Sequence, residues 1–382
     1  MELIVQSAAL KKALSIVSLA TGDKVDTLPS HALFRLKDGK LKMFSTDGDR
    51  FAVASCDTMM AAESDANEFT ADPKKLTALL NSSDGDSIRL LYKAAETTLH
   101  AFASEHQESY VAFGSFKPEN ALSFEGELDN LQKVKTINAE VLKRGIKFTQ
   151  GFISTEENNR RYSCVYAANG TLYGSNGHNS VAAFQSIEFE GVEFLVLRGP
   201  MIPQMLSAID RFDSEAITIM TTSKFVSFWS DTGDGFGYLK SNEELPKLPI
   251  SLDRPDWDSY TVNRSLLVKK LNRLAIATND KRGIKTIIKN DNMDLITLDE
   301  RASTESIPVT RKTGTEALTI IPDFDRLLSA LNLYWTDEVD VYFKTREVIF
   351  CDGVIEIQHK GEETPRRFEF KASCVIALAK AT

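Results

Sequence analysis

Two hydrophobic rhythms alternate along this chain, and the alternation repeats three times. The first has the helical spacing, in which apolar residues three or four apart share one face. Leu10, Leu14 and Val17 form such a stripe, with Lys11 and Lys12 lying off it. Leu142 and Ile146 repeat it beside Lys143, Arg144 and Lys147, and Leu267, Leu271 and Leu274 repeat it again beside Lys269, Lys270 and Arg273. The second rhythm is strict alternation, the mark of half-buried strands. It runs through 36–55 and 165–184, where Asp-Gly and Asn-Gly dipeptides predict tight hairpins. The corresponding third stretch, 284–302, is less regular.

A second motif follows each of these. Segments 69–92, 194–220 and 318–343 all read as strand, proline, helix, strand. Proline suits a first helical turn because it has no N–H to leave unsatisfied. Leu76, Leu79 and Leu80 mark the apolar face of the first such helix, and Leu327, Leu328 and Leu331 that of the third. The strands after them begin near Ile88, Ile217 and Val339, separated by 129 and 122 residues. Helix, strands, helix, strands in each third predicts an α+β protein of three tandem similar domains, each with two helices and antiparallel sheets. Polar or proline-bearing stretches place the boundaries at 1–128, 129–252 and 253–382.

Composition narrows the functional classes. The 382 residues are 42% hydrophobic and 26% charged, which suits folded domains rather than disorder. No apolar run approaches the roughly 20 residues of a membrane helix. The start, MELIVQSAALKKAL, lacks a basic region followed by an apolar run and a small-residue cleavage site, so a cytoplasmic, uncleaved chain without membrane contact is expected. Cys56, Cys164, Cys351 and Cys374 form no C-x-x-C pair, and the five histidines form no zinc-type spacing. Neither a metal nor a cofactor is expected.

Two stretches could carry enzymatic chemistry. Asp47 and Asp49 in Ser45-Thr46-Asp47-Gly48-Asp49 could hold Mg²⁺ for a nuclease, but the flanking alternation favours a hairpin turn. The second copy has neither carboxylate at the equivalent place. The glycine-rich segment 231–237 lacks the Lys-Ser/Thr of a phosphate loop and reads as a turn.

The basic residues are the more informative set. The net charge of −9 argues against a protein that coats nucleic acid over its whole surface. A single basic helix face is ordinarily a solvated one. Three equivalent helices with the same cluster, supplemented by Lys74, Lys75 and Arg198 near the second helices, predict one positive strip on an acidic protein. Such a strip suits loose, sequence-independent contact with phosphates.

The order of MELIVQSAALKKALSIVS, TLPSHALFRLKDGKLKMFSTDGDRFAVA, SNGH and LNRLAIATNDKRGIKTIIKND resembles the bacterial β sliding clamp family, the β subunit of DNA polymerase III, over the whole chain. The resemblance implies a head-to-tail homodimeric ring that encircles double-stranded DNA and serves as a polymerase processivity factor, without catalysis of its own. It implies DNA contacts at Lys24, Lys74, Lys75 and Arg198, to which the repeated helices add Lys11, Lys12, Lys143, Arg144, Lys147, Lys269, Lys270 and Arg273 as candidate contacts. It implies a subunit contact between edge strands, with Tyr110, Val111 and Ala112 on one side and Ile276 and Ala277 on the other. It also implies a pocket for short peptides of the polymerase and clamp loader at Ser175, Gly177, His178, Pro246, Val375 and Ala377. The sequence departs from the family at that pocket: Ser175-Asn176-Gly177-His178-Asn179 stands for Thr-Asp-Gly-His-Arg, and Ala377-Leu378-Ala379 for Met-Pro-Met. That divergence would suit a phage-borne copy with its own polymerase. The competing reading is a clamp-shaped interaction protein that does not encircle DNA.

Overall fold

The computed structural model describes residues 1–382 except 24–26, 62–66, 103–108, 122–123, 157, 179, 193–194, 248–257, 278–283, 290, 299–301, 314–316, 321–323, 335, 345–347, 354–369 and 378–382. Lys24, Asn179, Leu378, Ala379 and the boundary expected at 252/253 lie outside the described residues. The described α-helices are α1 (Ser7–Val17), α2 (Pro73–Asn81), α3 (Glu125–Leu128), α4 (Ala139–Gln150), α5 (Ile202–Phe212), α6 (Arg264–Ala277) and α7 (Phe324–Leu333). Every stripe read from the periodicity lies in one of them. Leu10, Leu14 and Val17 are buried in α1, Leu142 and Ile146 in α4, and Leu267, Leu271 and Leu274 in α6.

The fold is α+β, and its chain divides into two compact units. The first comprises Met1–Ala139 and Pro203–Lys240. Its strands form one antiparallel sheet in the order Val111–Gly114, Thr98–Phe102, Ser87–Lys93, Glu2–Gln6, Arg50–Ala61, Gly235–Leu239, Phe225–Trp229, Ala216–Thr221, Gln132–Asn138. Strand Arg50–Ala61 is the organiser. Its first residues pair with Gly235–Leu239, its length with Lys40–Thr46, and its last residues with Glu2–Gln6. The hairpin into Lys40–Thr46 turns at Asp38 and Gly39, both at positive φ (52° and 73°), as an Asp-Gly turn requires.

α1 lies on this sheet, and α2 packs beside it. Asp72 caps α2 by accepting the Lys74 and Lys75 amides at 2.8 and 3.3 Å, and Pro73 follows in the first turn. The stretch around the expected boundary at 128 is firmly seated. Phe124, just before α3, stacks on Phe51 with ring centroids 4.6 Å apart and joins a cluster of Leu33, Phe44, Val53 and Phe225.

The second unit comprises Glu140–Ile202 and Ser241–Thr382. Its sheet runs Val196–Arg198, Cys164–Ala168, Thr171–Ser175, Ser180–Ser186, Phe370–Ala377, Val348–Gly353, Glu338–Lys344, Asp258–Asn263, Thr304–Thr313, Asn292–Thr297, Ile284–Lys289, Ala317–Ile320. The Asn-Gly turn expected between the second-copy strands is present at Asn169 and Gly170, again with positive φ. Helices α6 and α7 pack together in this unit. Phe148 of α4 meets Tyr334 edge-on at 5.2 Å, so α4 shares their core. At Gly174 the helix end approaches so closely that a Cβ would lie 2.1 Å from the Thr149 carbonyl oxygen.

Candidate functional site

Three surfaces carry the residues singled out above, and each is built from its own elements. The first is the set of cationic helix faces. On α1, Lys12 is exposed and stands 3.9 Å from Asp213, while Lys11 is half-buried. On α2, Lys74 is exposed and 3.5 Å from Asp23. On α4 both Lys143 and Arg144 turn back onto Glu140, at 3.1 and 2.6 Å, while Lys147 is exposed. Arg198 is exposed at the end of an edge strand. On α6, Lys270 is hydrogen-bonded to Glu305, Arg273 stands 3.6 Å from the same carboxylate, and Lys269 is exposed.

The expectation of freely displayed cations therefore needs correcting. Lys143, Arg144 and Lys270 keep only about a fifth of their side-chain area exposed, because carboxylates draw them down. Glu140 follows from the sequence, since it lies three and four residues before its partners. Glu305 does not, because only the fold brings its strand beside α6. Burial alone would raise the Glu140 carboxyl, but hydrogen bonds from Arg144 and Lys143 hold it below the usual carboxylate value. Glu305 is likewise held low, chiefly by the Lys270 hydrogen bond.

The second surface is an open sheet edge in the first unit. Among the described residues, strand Val111–Gly114 pairs with Thr98–Phe102 alone and ends the sheet. Val111 and Ala112 lie on it; Tyr110 sits just before it and is 51% exposed. Its ring is fixed by parallel stacking on buried His100, with centroids 4.2 Å apart. Beneath it, Arg89 caps the Phe102 ring at 3.8 Å and pairs with Glu2 at 3.1 Å. This edge therefore presents a preformed apolar surface. Ile276 and Ala277 do not lie on a strand as expected. They end helix α6 in the second unit, and Ile276 is 89% exposed.

The third surface is the turn Ser175–His178 with its surroundings in the second unit. The Ser175 hydroxyl donates to the Ser180 carbonyl at 3.0 Å and accepts the Gly177 amide at 3.1 Å. Asn176 Oδ1 accepts the amides of His178 and Ser180, both at 3.1 Å. Gly177 has φ +79°, and the Tyr162 ring lies so near that a Cβ would meet it at 2.7 Å. His178 is exposed. The strand after the turn pairs with Phe370–Ala377, placing Val181 opposite Val375 and Ser180 opposite Ile376. The sequence-separated positions Ser175, Gly177, His178, Val375 and Ala377 thus converge on one sheet. Pro246 is buried in a segment that Glu243 fastens through Arg161 at 3.7 Å.

Beside this turn lies a cavity of about 190 Å³, lined by Gly151, Phe152, Ile153, Asn176, Ser180, Asp325, Ser329 and Ala330. Its wall from α7 was invisible in the sequence, because nothing in the repeat that contains Asp325 and Ser329 says which turn they face.

Asp47 is committed to its turn. Its carboxylate accepts the amides of Asp49 (3.1 Å) and Arg50 (2.8 Å) and pairs with the Arg50 guanidinium. The glycine-rich segment 231–237 is only partly the expected turn: 231–234 connect strands Phe225–Trp229 and Gly235–Leu239, and 235–237 already belong to the second strand. Among the described residues no group of three or more His, Cys, Asp or Glu could hold a metal ion, and no helix is long and apolar enough to cross a membrane.

No protein-family model and no curated protein matches this sequence. Solved structures match the fold over its full length. The DNA polymerase sliding clamp of Pseudomonas aeruginosa aligns over 100% of both chains with TM-score 0.80 at 17% identity. That of Caulobacter crescentus gives 0.78 at 16%, and the DNA polymerase III β subunit of Thermotoga maritima gives 0.75 at 14%, each over 100% of both chains. At such identities the match speaks for backbone architecture, and the chain has the fold of these sliding clamps from end to end.

Proposed function

We propose that this protein is a DNA polymerase processivity factor: two copies close head to tail into a ring around duplex DNA and tether a polymerase to its template. The observation that carries this reading is the full-length fold match to sliding clamps, joined to cationic clusters on α1, α4 and α6. In this reading the three tandem domains span 1–128, 129–252 and 253–382. The cationic helices touch backbone phosphates without base specificity. The open edge at Val111–Gly114 and the exposed end of α6 form the contact between copies, which also removes an aggregation-prone strand edge from solvent. The turn at Ser175–His178, with its cavity, receives short peptides of the polymerase and the clamp loader. Its work is topological rather than catalytic, carried out in the cytoplasm.

Retention on DNA of different topology tests this directly. A ring loaded on closed circular duplex should stay through a salt wash and leave after the circle is cut. Equal retention on circular and linear DNA would mean ordinary binding, and a stable monomer that never stays on circles would favour an interaction protein that does not encircle DNA.

A further inference from the structure

Two carboxylates lie against cationic residues of α4 and α6. On α4, Glu140 lies between Lys143 and Arg144, at 3.1 and 2.6 Å. On α6 the same arrangement is reached by a different route. Glu305 stands on strand Thr304–Thr313, takes a hydrogen bond from Lys270 and stands 3.6 Å from Arg273. One helix supplies its own acid and the other borrows one from a strand, yet each ends with one carboxylate shared by two cations. Both acids are well covered, with side chains 34% and 20% exposed. α1 is different: Lys12 reaches Asp213 only at 3.9 Å, and Asp213 is 89% exposed.

We propose that Glu140 and Glu305 are built-in phosphate surrogates, which limit how tightly α4 and α6 grip duplex DNA so that the ring slides rather than sticks. The inference rests on the clamp reading above. A phosphate that approaches Lys143, Arg144 or Lys270 must displace a carboxylate already hydrogen-bonded to it. A cation neutralised inside the protein also displaces fewer counterions from DNA, and counterion release is what drives this kind of binding. Each cluster keeps a surplus of one positive charge, enough to attract the backbone. The two-to-one ratio thus favours many weak, exchangeable contacts over a few fixed ones. A protein that encircles its ligand can tolerate this, because topology rather than affinity prevents loss.

The test replaces Glu140→Gln and Glu305→Gln, singly and together, in the full-length chain. Binding to a duplex oligonucleotide is followed by fluorescence anisotropy across a decade of NaCl, with retention on closed circles and thermal melting measured alongside. Each freed phosphate contact should steepen the fall of log K with log salt by about 0.9, an affinity gain of about eightfold per decade of salt dilution. Unchanged slope and affinity in folded variants would overturn the proposal and leave both acids as braces for their own elements. Glu305→Gln carries the test alone if loss of Glu140 frays α4. If the unchanged chain is retained on circles while the variants bind as it does, the clamp reading stands and this inference falls. If the unchanged chain is not retained on circles at all, both fall.

Discussion

At Glu140 and Glu305 the folded chain favours the charged carboxylate, and this fixes the sign of a pH dependence. A carboxyl held below its unfolded value of 4.5 contributes stability that is intact above that pH and is lost as the pH falls through the depressed folded value. The denaturant midpoint should therefore drop on acidification, and drop less steeply in Glu305→Gln, as urea titrations from neutral to acid pH can check. Cys56 shows the opposite displacement. Burial, with Asp57 and Asp234 nearby, pushes its thiol up to about 12, and Cys164 is pushed to about 11. Thiolate is the reactive form. Both should resist alkylation in the native protein at mildly alkaline pH and react on unfolding, as peptide mapping by mass spectrometry would show. Gly174 carries a packing constraint instead. A methyl group there would run into the Thr149 carbonyl, so Gly174→Ala should cost about 1–3 kcal/mol in equilibrium unfolding, in the range of other overpacked sites.

The elements divide into those readable from local pattern and those that are not. The stripes of α1, α4 and α6 were legible because burying one face demands apolar residues at 3.6-residue spacing. The Asp-Gly and Asn-Gly hairpins were legible because few residue pairs accept positive φ in succession. The pairing of Arg50–Ala61 with Gly235–Leu239, or of Ser180–Ser186 with Phe370–Ala377, was not, since nothing local in either strand names a partner nearly two hundred residues away. The lack of a local signal also hid Glu305 from α6, though only 35 residues separate it from Lys270, and Asp325 from the cavity. It also misled on Ile276, expected at a strand edge and found at a helix end. Its exposure there leaves a strong expectation. If this helix end closes the ring, Ile276→Asp puts an unpaired charge into an apolar contact, which costs several kcal/mol. The variant should fold and run as a monomer in analytical ultracentrifugation, while the unchanged chain runs as a dimer.

For the whole molecule, the proposed function requires a chain with net charge −9 to hold a polyanion. On that reading attraction and repulsion must be separated in space, with the surplus of cations on a few helices and most of the acid elsewhere, so that DNA would be tolerated in one place only. Screening sets the reach of that field at about 8 Å in physiological salt, so only cations close to the duplex contribute. Reversing Lys143, Arg144, Lys269 and Lys270 to Glu then does more than remove contacts. It joins four new acids to Glu140 and Glu305 and turns the α4 and α6 faces from attractive to repulsive. The variant should remain a dimer, since none of the four lies at Tyr110, Val111 or Ile276. Its residence on closed circular DNA should shorten sharply at physiological salt and partly recover as added salt screens the repulsion, the reverse of the dependence expected for the unchanged chain. Residence equal to that of the unchanged chain at every salt concentration would place these four residues away from the duplex. That result would break the link between the cationic helices and DNA.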